Sequence, residues 1–154
     1  MTTEHKNSLQ VLILMACLGL GYYLMGHILL PATHSVTPKL LWRTGSIPAA
    51  QDEYMLFELH DSYLPEGESH LVKRLGCTEG QYLSRINRQF YCDGKEIAIA
   101  QAQDSKGKPL PIFEYTGVIP AGKAFAVGDT DNSYDSRYWG FTDVARAERL
   151  IPIF

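Results

Sequence analysis

The sequence predicts an all-β domain that follows a single N-terminal transmembrane helix. A long uncharged apolar segment lies near the N-terminus, several short strand patterns follow it, and no long helical pattern follows. The chain has 154 residues, enough for one domain of ordinary size. We expect a cytoplasmic N-terminus at 1–8, a membrane anchor at 9–30 and one periplasmic domain at 31–154.

The composition indicates a packed domain and excludes some classes of function. Apolar residues make up 45% of the chain and aromatic residues 11%, which favours a folded core over disorder. The net charge is -3 and the basic residues form no run, so we expect no nucleic-acid-binding surface.

The anchor is predicted from Leu9–Leu30, which contains no charged residue and ends before Pro31. At about 1.5 Å per residue this segment covers roughly 33 Å, close to the thickness of a bilayer core. A helix on the surface of a soluble domain would need a polar face, and this segment has none. An uncleaved membrane helix is therefore the preferred interpretation.

Two alternatives concern the same segment. A cleavable signal peptide has a shorter apolar region, of about 7–15 residues. Leu14–Cys17 is similar to a lipoprotein signal, but Met15 is atypical there and a long apolar stretch still follows Cys17. A small apolar cysteine within a membrane helix explains Cys17 better.

The orientation of the anchor is inferred from cysteines, because Lys6 before it and Lys39 and Arg43 after it give no positive-inside bias. Cys77 and Cys92 lie in the polar part of the chain, and a bridge between them would stabilise a small domain. Disulfides persist in the bacterial periplasm and are rare in the cytosol. We therefore place the domain outside, with two free core cysteines as the alternative.

The strand predictions rest on short apolar and β-branched runs between turn residues. Asp93-Gly94 is a strong signal for a two-residue hairpin turn. Pro109 and Pro111 predict that the stretch around them is a loop or an edge strand. The predicted strands are Tyr54–Leu59, His70–Leu75, Gln89–Cys92, Lys95–Gln101 and, after the Pro120-Ala121-Gly122 turn, Lys123–Gly128.

A dense polar loop that leads into aromatic residues, Gly128–Phe141, is the most specific segment. Its composition alone would indicate a solvated turn. The segment resembles the C-terminal signature of the signal peptidase I family: Gly-Asp, then Asn-Ser, then Asp-Ser-Arg-Tyr-Trp-Gly. Ser35–Pro38 resembles the family's nucleophile motif, with Val36 where a methionine is usual, and His70–Gly76 resembles the strand that carries its Lys-Arg pair. The resemblance implies a signal peptidase-like β fold.

The resemblance implies a serine–lysine dyad, with Ser35 as the nucleophile and Lys73 as its general base. A lysine with an ordinary pKa near 10.4 is protonated at neutral pH, so it must be buried to act as a base. Leu71 and Leu75 alternate with Lys73 along the predicted strand, which is consistent with an apolar pocket. Ser133 matches the family position whose hydroxyl orients the lysine.

The resemblance also implies supporting residues around the dyad. Thr33 matches the hydroxyl that completes an oxyanion hole with the backbone N–H of Ser35. Asp135 and Arg137 match a salt bridge near the site, and Arg74 is expected to be structural.

A Ser-His-Asp triad and a metal site are less compatible with the sequence. His34 with Asp129 or Asp131 would give a Ser-His-Asp triad, but neighbours on an extended strand point to opposite faces. A metal site built from the polar residues around the 60s would have a spacing that matches no compact ligand pattern. We expect neither a metal nor a cofactor; the residues considered for the metal were His60, Asp61, Glu66, Glu68 and His70.

A narrower resemblance concerns Cys77 with Phe90–Lys95 and Ile119–Lys123, which are similar to the TraF-type peptidases of conjugative plasmids. It implies an inner-membrane enzyme that removes the leader from a propilin, with cyclisation of the pilin left open. The implied partners are a precursor protein, membrane lipid and components of a conjugative, type IV secretion-like apparatus. The alternatives are a general leader peptidase and an inactive membrane-tethered scaffold that only binds pilin.

Overall fold

The computed structural model describes residues 3–64 and 67–154, and it confirms a mostly β-sheet domain behind one N-terminal apolar helix. Every strand pair described is antiparallel. The elements are α1 (Thr3–His27), β1 (Ile28–Leu29), β2 (Leu41–Arg43), β3 (Tyr54–His60), β4 (Glu68–Thr78), β5 (Tyr82–Ile86), β6 (Gln89–Cys92), β7 (Lys95–Ile99), β8 (Gly117–Val118), β9 (Lys123–Val127), α2 (Ser136–Trp139), β10 (Thr142–Asp143), a 3-10 helix (Val144–Arg146) and β11 (Glu148–Pro152).

Helix α1 contains a stretch that is long and apolar enough to cross a membrane, Ser8–His27. This stretch has 20 residues and spans roughly 30 Å. None of the residues in its most apolar window is buried against the domain. The helix ends at His27, before the expected end of the anchor at Leu30, because the next two residues form β1 and pair with β2. The His27 ring stacks on Trp42 of β2 with 5.0 Å between ring centroids. The apolar run therefore passes directly into the sheet.

The larger sheet has seven strands in the order β1-β2-β11-β3-β4-β9-β10. Its long strand β4 pairs with β3 along residues 68–74 and with β9 along residues 74–78. A bulge in β4 contains Gly76, where a Cβ atom would lie 2.8 Å from a methyl group of Val127. Lys73 thus lies near the end of the part of β4 that pairs with β3, just before the part that pairs with β9. The candidate site forms at this point.

The smaller sheet has four strands in the order β7-β6-β5-β8. The predicted hairpin is confirmed, since β6 and β7 are joined at Asp93-Gly94 and Cys92 pairs with Lys95. Asp93 has φ 49° and Gly94 has φ 82°, the left-handed conformation that a two-residue hairpin turn of this kind requires. The stretch around Pro109 and Pro111 is irregular, with one isolated bridge, as expected.

One of the two buried apolar clusters lies between the sheets, and a disulfide joins them there. Cys77 of β4 is bonded to Cys92 of β6, which confirms the expected bridge and excludes two free core thiols. The bridge lies among buried apolar side chains that include Phe90 and Phe125. A bridge that closes a loop of this length contributes about 3 kcal/mol in the chain-entropy account. The disulfide thus fixes β4 to the smaller sheet close to the candidate site.

Candidate active site

Lys73 lies in the interior of the domain, with only 3% of its surface exposed. Alternation along β4 places it on the same face as Leu71 and Leu75, beside the core residue Met55. Burial lowers the pKa of Lys73 to about 8, with the carboxylate of Asp135 opposing the shift. A substantial fraction of this amine is therefore neutral close to physiological pH.

Ser133 is the hydrogen-bond partner of the buried amine. Lys73 Nζ donates to Ser133 Oγ at 2.8 Å, and Ser133 is itself only 3% exposed. The backbone of Ser133 is held from both sides, since its N–H donates to the carbonyl of Thr130 at 3.1 Å and its carbonyl accepts from Arg137 at 2.9 Å. The lysine is thus directed by a hydroxyl whose own position is fixed.

Ser35 reaches the same place from the segment that follows the anchor. Its carbonyl accepts a hydrogen bond from the backbone N–H of Asp129 at 2.8 Å. A Cβ atom on Gly128 would collide with the Ser133 side chain and would lie 2.7 Å from the carbonyl oxygen of Ser35. Only glycine leaves room for these two serines to approach each other here. Gly128 thus lies between the backbone carbonyl of Ser35 and the side chain of Ser133, which is bonded to Lys73.

Thr33 lies beside Ser35, with 3.1 Å between the two hydroxyl oxygens. The side chain of Thr33 is exposed, whereas Ser35 is partly buried. A hydroxyl at this distance is placed to donate to a negative charge that develops next to the Ser35 oxygen.

Asp129 connects the Ser35 segment to the larger sheet. One carboxylate oxygen accepts from the backbone N–H of Thr37 and from the hydroxyl of Tyr54, both at 2.8 Å, and the other accepts from Arg74 at 3.1 Å. Burial alone would raise the pKa of Asp129, but these three donors outweigh it and lower the pKa. Arg74 also bonds Asp52. Asp129 thus ties the backbone after Ser35 to β3 and β4.

Arg137 and Asp135 form a buried ion pair beneath the Ser133 loop. Arg137 is 2% exposed and Asp135 is fully buried, and two guanidinium nitrogens donate to the two carboxylate oxygens at 2.7 Å each. Arg137 also donates to the carbonyls of Ile99 at 2.7 Å and Thr130 at 3.2 Å. The pair therefore fixes the loop that presents Ser133, and it is not the exposed pair that composition alone would allow.

The residues of the two alternative kinds of site can be located in the described part of the chain. Asp129 is occupied by its three donors, and His34 is exposed. Among the described residues, no hydrogen bond joins His34 to Ser35, Asp129 or Asp131, so they form no Ser-His-Asp triad. Within residues 3–64 and 67–154, no three His, Cys, Asp or Glu side chains lie together as a metal site. Of the residues considered for a metal, Glu66 and the side chain of Glu68 lie outside this description.

Sequence reasoning missed three contributors to the site. Gly128 and Asp129 belong to the signature that the sequence analysis identified. The sequence did not predict that Gly128 allows Ser35 and Ser133 to approach each other, nor that the Asp129 carboxylate accepts a hydrogen bond from the segment after Ser35. Tyr54 begins a predicted strand, and no local signal distinguishes its hydroxyl from that of an ordinary sheet tyrosine. Only the pairing of β3 with β4 brings Tyr54 next to Arg74 and Asp129.

A buried lysine bonded to a serine, in a domain behind a helix apolar enough to span a membrane, agrees with the family that the sequence resembles. The model of the family described as signal peptidase, peptidase S26, matches residues 9–148. The chain therefore belongs to the signal peptidase S26 family, which acts on precursor proteins and removes their leader peptides. No curated protein matches the chain.

Proposed function

We propose that this chain is a Ser/Lys endopeptidase of the bacterial inner membrane that removes the leader from an exported precursor on the periplasmic side. The observation that carries the proposal is the buried amine of Lys73, which is bonded to Ser133. The backbone carbonyl of Ser35 and the Ser133 side chain lie on either side of Gly128. The Cys77–Cys92 disulfide supports a location outside the cytosol.

In the mechanism that we propose, Ser35 and Lys73 act together as a dyad. Ser35 Oγ attacks the scissile carbonyl carbon while neutral Lys73 Nζ takes the hydroxyl proton. The hydroxyl of Thr33 and the backbone N–H of Ser35 stabilise the oxyanion. When the C–N bond breaks, Lys73 returns the proton to the leaving amine and an ester on Ser35 remains. Water hydrolyses that ester, frees the Ser35 hydroxyl and releases the leader with a carboxylate end. A cyclic pilin would require a cut near the C-terminus of the pilin, so that the pilin is the acyl group and its own N-terminal amine displaces Ser35.

The substrate we favour is a propilin of a conjugative transfer apparatus. Support comes from the resemblance of Cys77, Phe90–Lys95 and Ile119–Lys123 to the TraF-type peptidases. A general leader peptidase would instead accept many precursors with small residues before the cut, and an inactive scaffold would bind pilin without cutting it.

The test uses the full chain, synthesised cell-free in lipid nanodiscs so that host peptidases do not contribute. Purified propilin and an unrelated precursor are added, and the ends of the products are determined by mass spectrometry. Cleavage of propilin alone is the expected result. A pilin product whose mass is one water below that of the linear product would be cyclic. Equal cleavage of both precursors would favour the general peptidase, and no cleavage above that of empty discs would favour the scaffold.

The pH dependence of cleavage tests the role of Lys73. The base works only when deprotonated, so kcat/KM should rise with pH through about 8 and level off above it. At two pH units below that pKa, about 1% of the amine is neutral, so the rate should be roughly 100-fold below the plateau. A profile that is flat over this range would contradict Lys73 as the base.

A further inference from the structure

A cleft of about 520 Å³ opens next to Ser133. One wall is the end of the connection that follows β3, and the opposite wall is the irregular stretch between β7 and β8. Leu64 and Leu110 add apolar surface. The polar and aromatic side chains of its lining include those of Tyr63, Asp104, Lys106, Lys108, Ser133 and Tyr134.

The aromatic side chains of the cleft are held in place. Tyr63 and Tyr134 are stacked with 4.5 Å between ring centroids, and Tyr134 stacks in turn on Tyr138 at 5.6 Å. The Tyr134 hydroxyl donates to Asp61 at 2.9 Å, and the Tyr63 hydroxyl donates to Asp104. The faces of Tyr63 are covered by Tyr134 and Lys108, and those of Tyr134 by Tyr63 and Tyr138, so the edges of the rings line the cleft. Because both hydroxyls are tied to carboxylates, these edges form a fixed apolar wall that needs no ordering on binding.

The rim of the cleft is basic. The charged side chains among its lining residues are Asp104, Lys106 and Lys108. Asp104 already accepts from the backbone N–H groups of Lys106 at 2.8 Å and Lys108 at 2.9 Å, as well as from Tyr63. Lys108 lies over the Tyr63 ring at 4.6 Å, whereas the exposed amine of Lys106 is available to a ligand.

The chemistry of the dyad indicates which part of a substrate this cleft would meet. Lys73 must return its proton to the leaving amine, so the amine departs on the side of Lys73. Ser133, the partner of Lys73, is also a wall of the cleft. The polypeptide that continues from the leaving amine is therefore directed along this wall.

We propose that this cleft binds the precursor segment that follows the scissile bond, with an apolar or aromatic side chain against Tyr63 and Tyr134 and an acidic side chain near Lys106. The proposal rests on the proposed function and deepens it, because it assigns part of the selectivity to the mature end of the substrate.

The test compares three peptides with the same leader, cleaved by the full chain in nanodiscs at low ionic strength. The short peptide ends directly after the residue that follows the cut, and two long peptides continue with an aromatic residue and either an acidic or a basic one. Lys106→Glu should lower kcat/KM about threefold for the acidic long peptide and raise it similarly for the basic one. The short peptide should be unaffected, and Lys95→Glu, on an exposed hairpin of the smaller sheet, should change none of the three.

A second pair of variants tests the aromatic wall. Tyr63→Ala should lower the ratio of long-peptide to short-peptide kcat/KM about tenfold. Tyr63→Phe keeps the ring and its stacking on Tyr134 but loses the bond to Asp104, so it should lower that ratio only about twofold. The cleft assignment would be wrong if neither Lys106→Glu nor Tyr63→Ala changed the ratio of long-peptide to short-peptide kcat/KM. An equal loss of activity on all peptides leaves this ratio unchanged and would count in the same way, although the peptidase activity itself would remain established. Failure of the wild-type chain to cut any peptide would instead overturn the proposed function.

Discussion

Replacing Ser35 by alanine, or Lys73 by methionine, should lower kcat for precursor cleavage by about 10⁴-fold or more. Each change removes one member of a pair that acts as a unit, so the double variant should be hardly worse than either single one. Methionine fills the space of the lysine without its amine, and the pocket formed with Leu71 and Leu75 is apolar, so the fold should persist. Single-turnover cleavage in nanodiscs measures the effect.

The control for Lys73→Met is Lys95→Met, an exposed lysine in the hairpin of the smaller sheet, which should retain full activity. The thermal midpoint of each variant is measured in parallel, and Lys73→Met should be at least as stable as wild type because a buried amine is no longer desolvated. If Lys73→Met kept more than about a tenth of the activity at every pH, the base would have to be another group. Additive losses in the double variant would contradict a single coupled dyad.

The parts of the fold that could be predicted are those whose signals are local. The β6–β7 hairpin was predicted at its turn because Asp93-Gly94 supplies the required backbone conformation within two residues. The strands that were missed contain charged residues or proline. β5 forms a tight hairpin with β6, but β2 and β11 pair only with distant segments of the chain. β11, for example, lies between β2 and β3 although it ends in Pro152. The missed strands longer than two residues were β2 (Leu41–Arg43), β5 (Tyr82–Ile86) and β11 (Glu148–Pro152).

The candidate site divides in the same way. The contact between Lys73 and Ser133 could be expected from the resemblance, because both residues lie in recognisable blocks. The three bonds to Asp129 could not, since they depend on how the segment after Ser35 passes beside β3. The full burial of the Asp135–Arg137 pair could not be predicted either, because the same residues in an exposed loop would have the same sequence. Burial, however, decides how much the pair matters.

Replacing Arg137 by methionine should lower the free energy of unfolding by about 3–5 kcal/mol, a large part of the 5–15 kcal/mol typical of a folded domain. The fully buried carboxylate of Asp135 would lose its two charged hydrogen bonds, and carbonyls that include that of Ser133 would lose a donor. Arg85→Met is the matched control, because its partner Glu114 is 84% exposed, and it should cost under about 1 kcal/mol.

A double variant separates the charge from the positioning role of Arg137. In Arg137→Met with Asp135→Asn, the asparagine oxygen can still accept the N–H of Gly128 but carries no unpaired charge, so part of the lost stability should return. Cleavage activity should stay low, because the carbonyl of Ser133 still lacks its donor and the hydroxyl that directs Lys73 is no longer held. Urea unfolding and single-turnover cleavage of the full chain in detergent measure the two effects. If activity recovered together with stability, the pair would serve only to stabilise the domain, and Ser133 would not depend on it for its position.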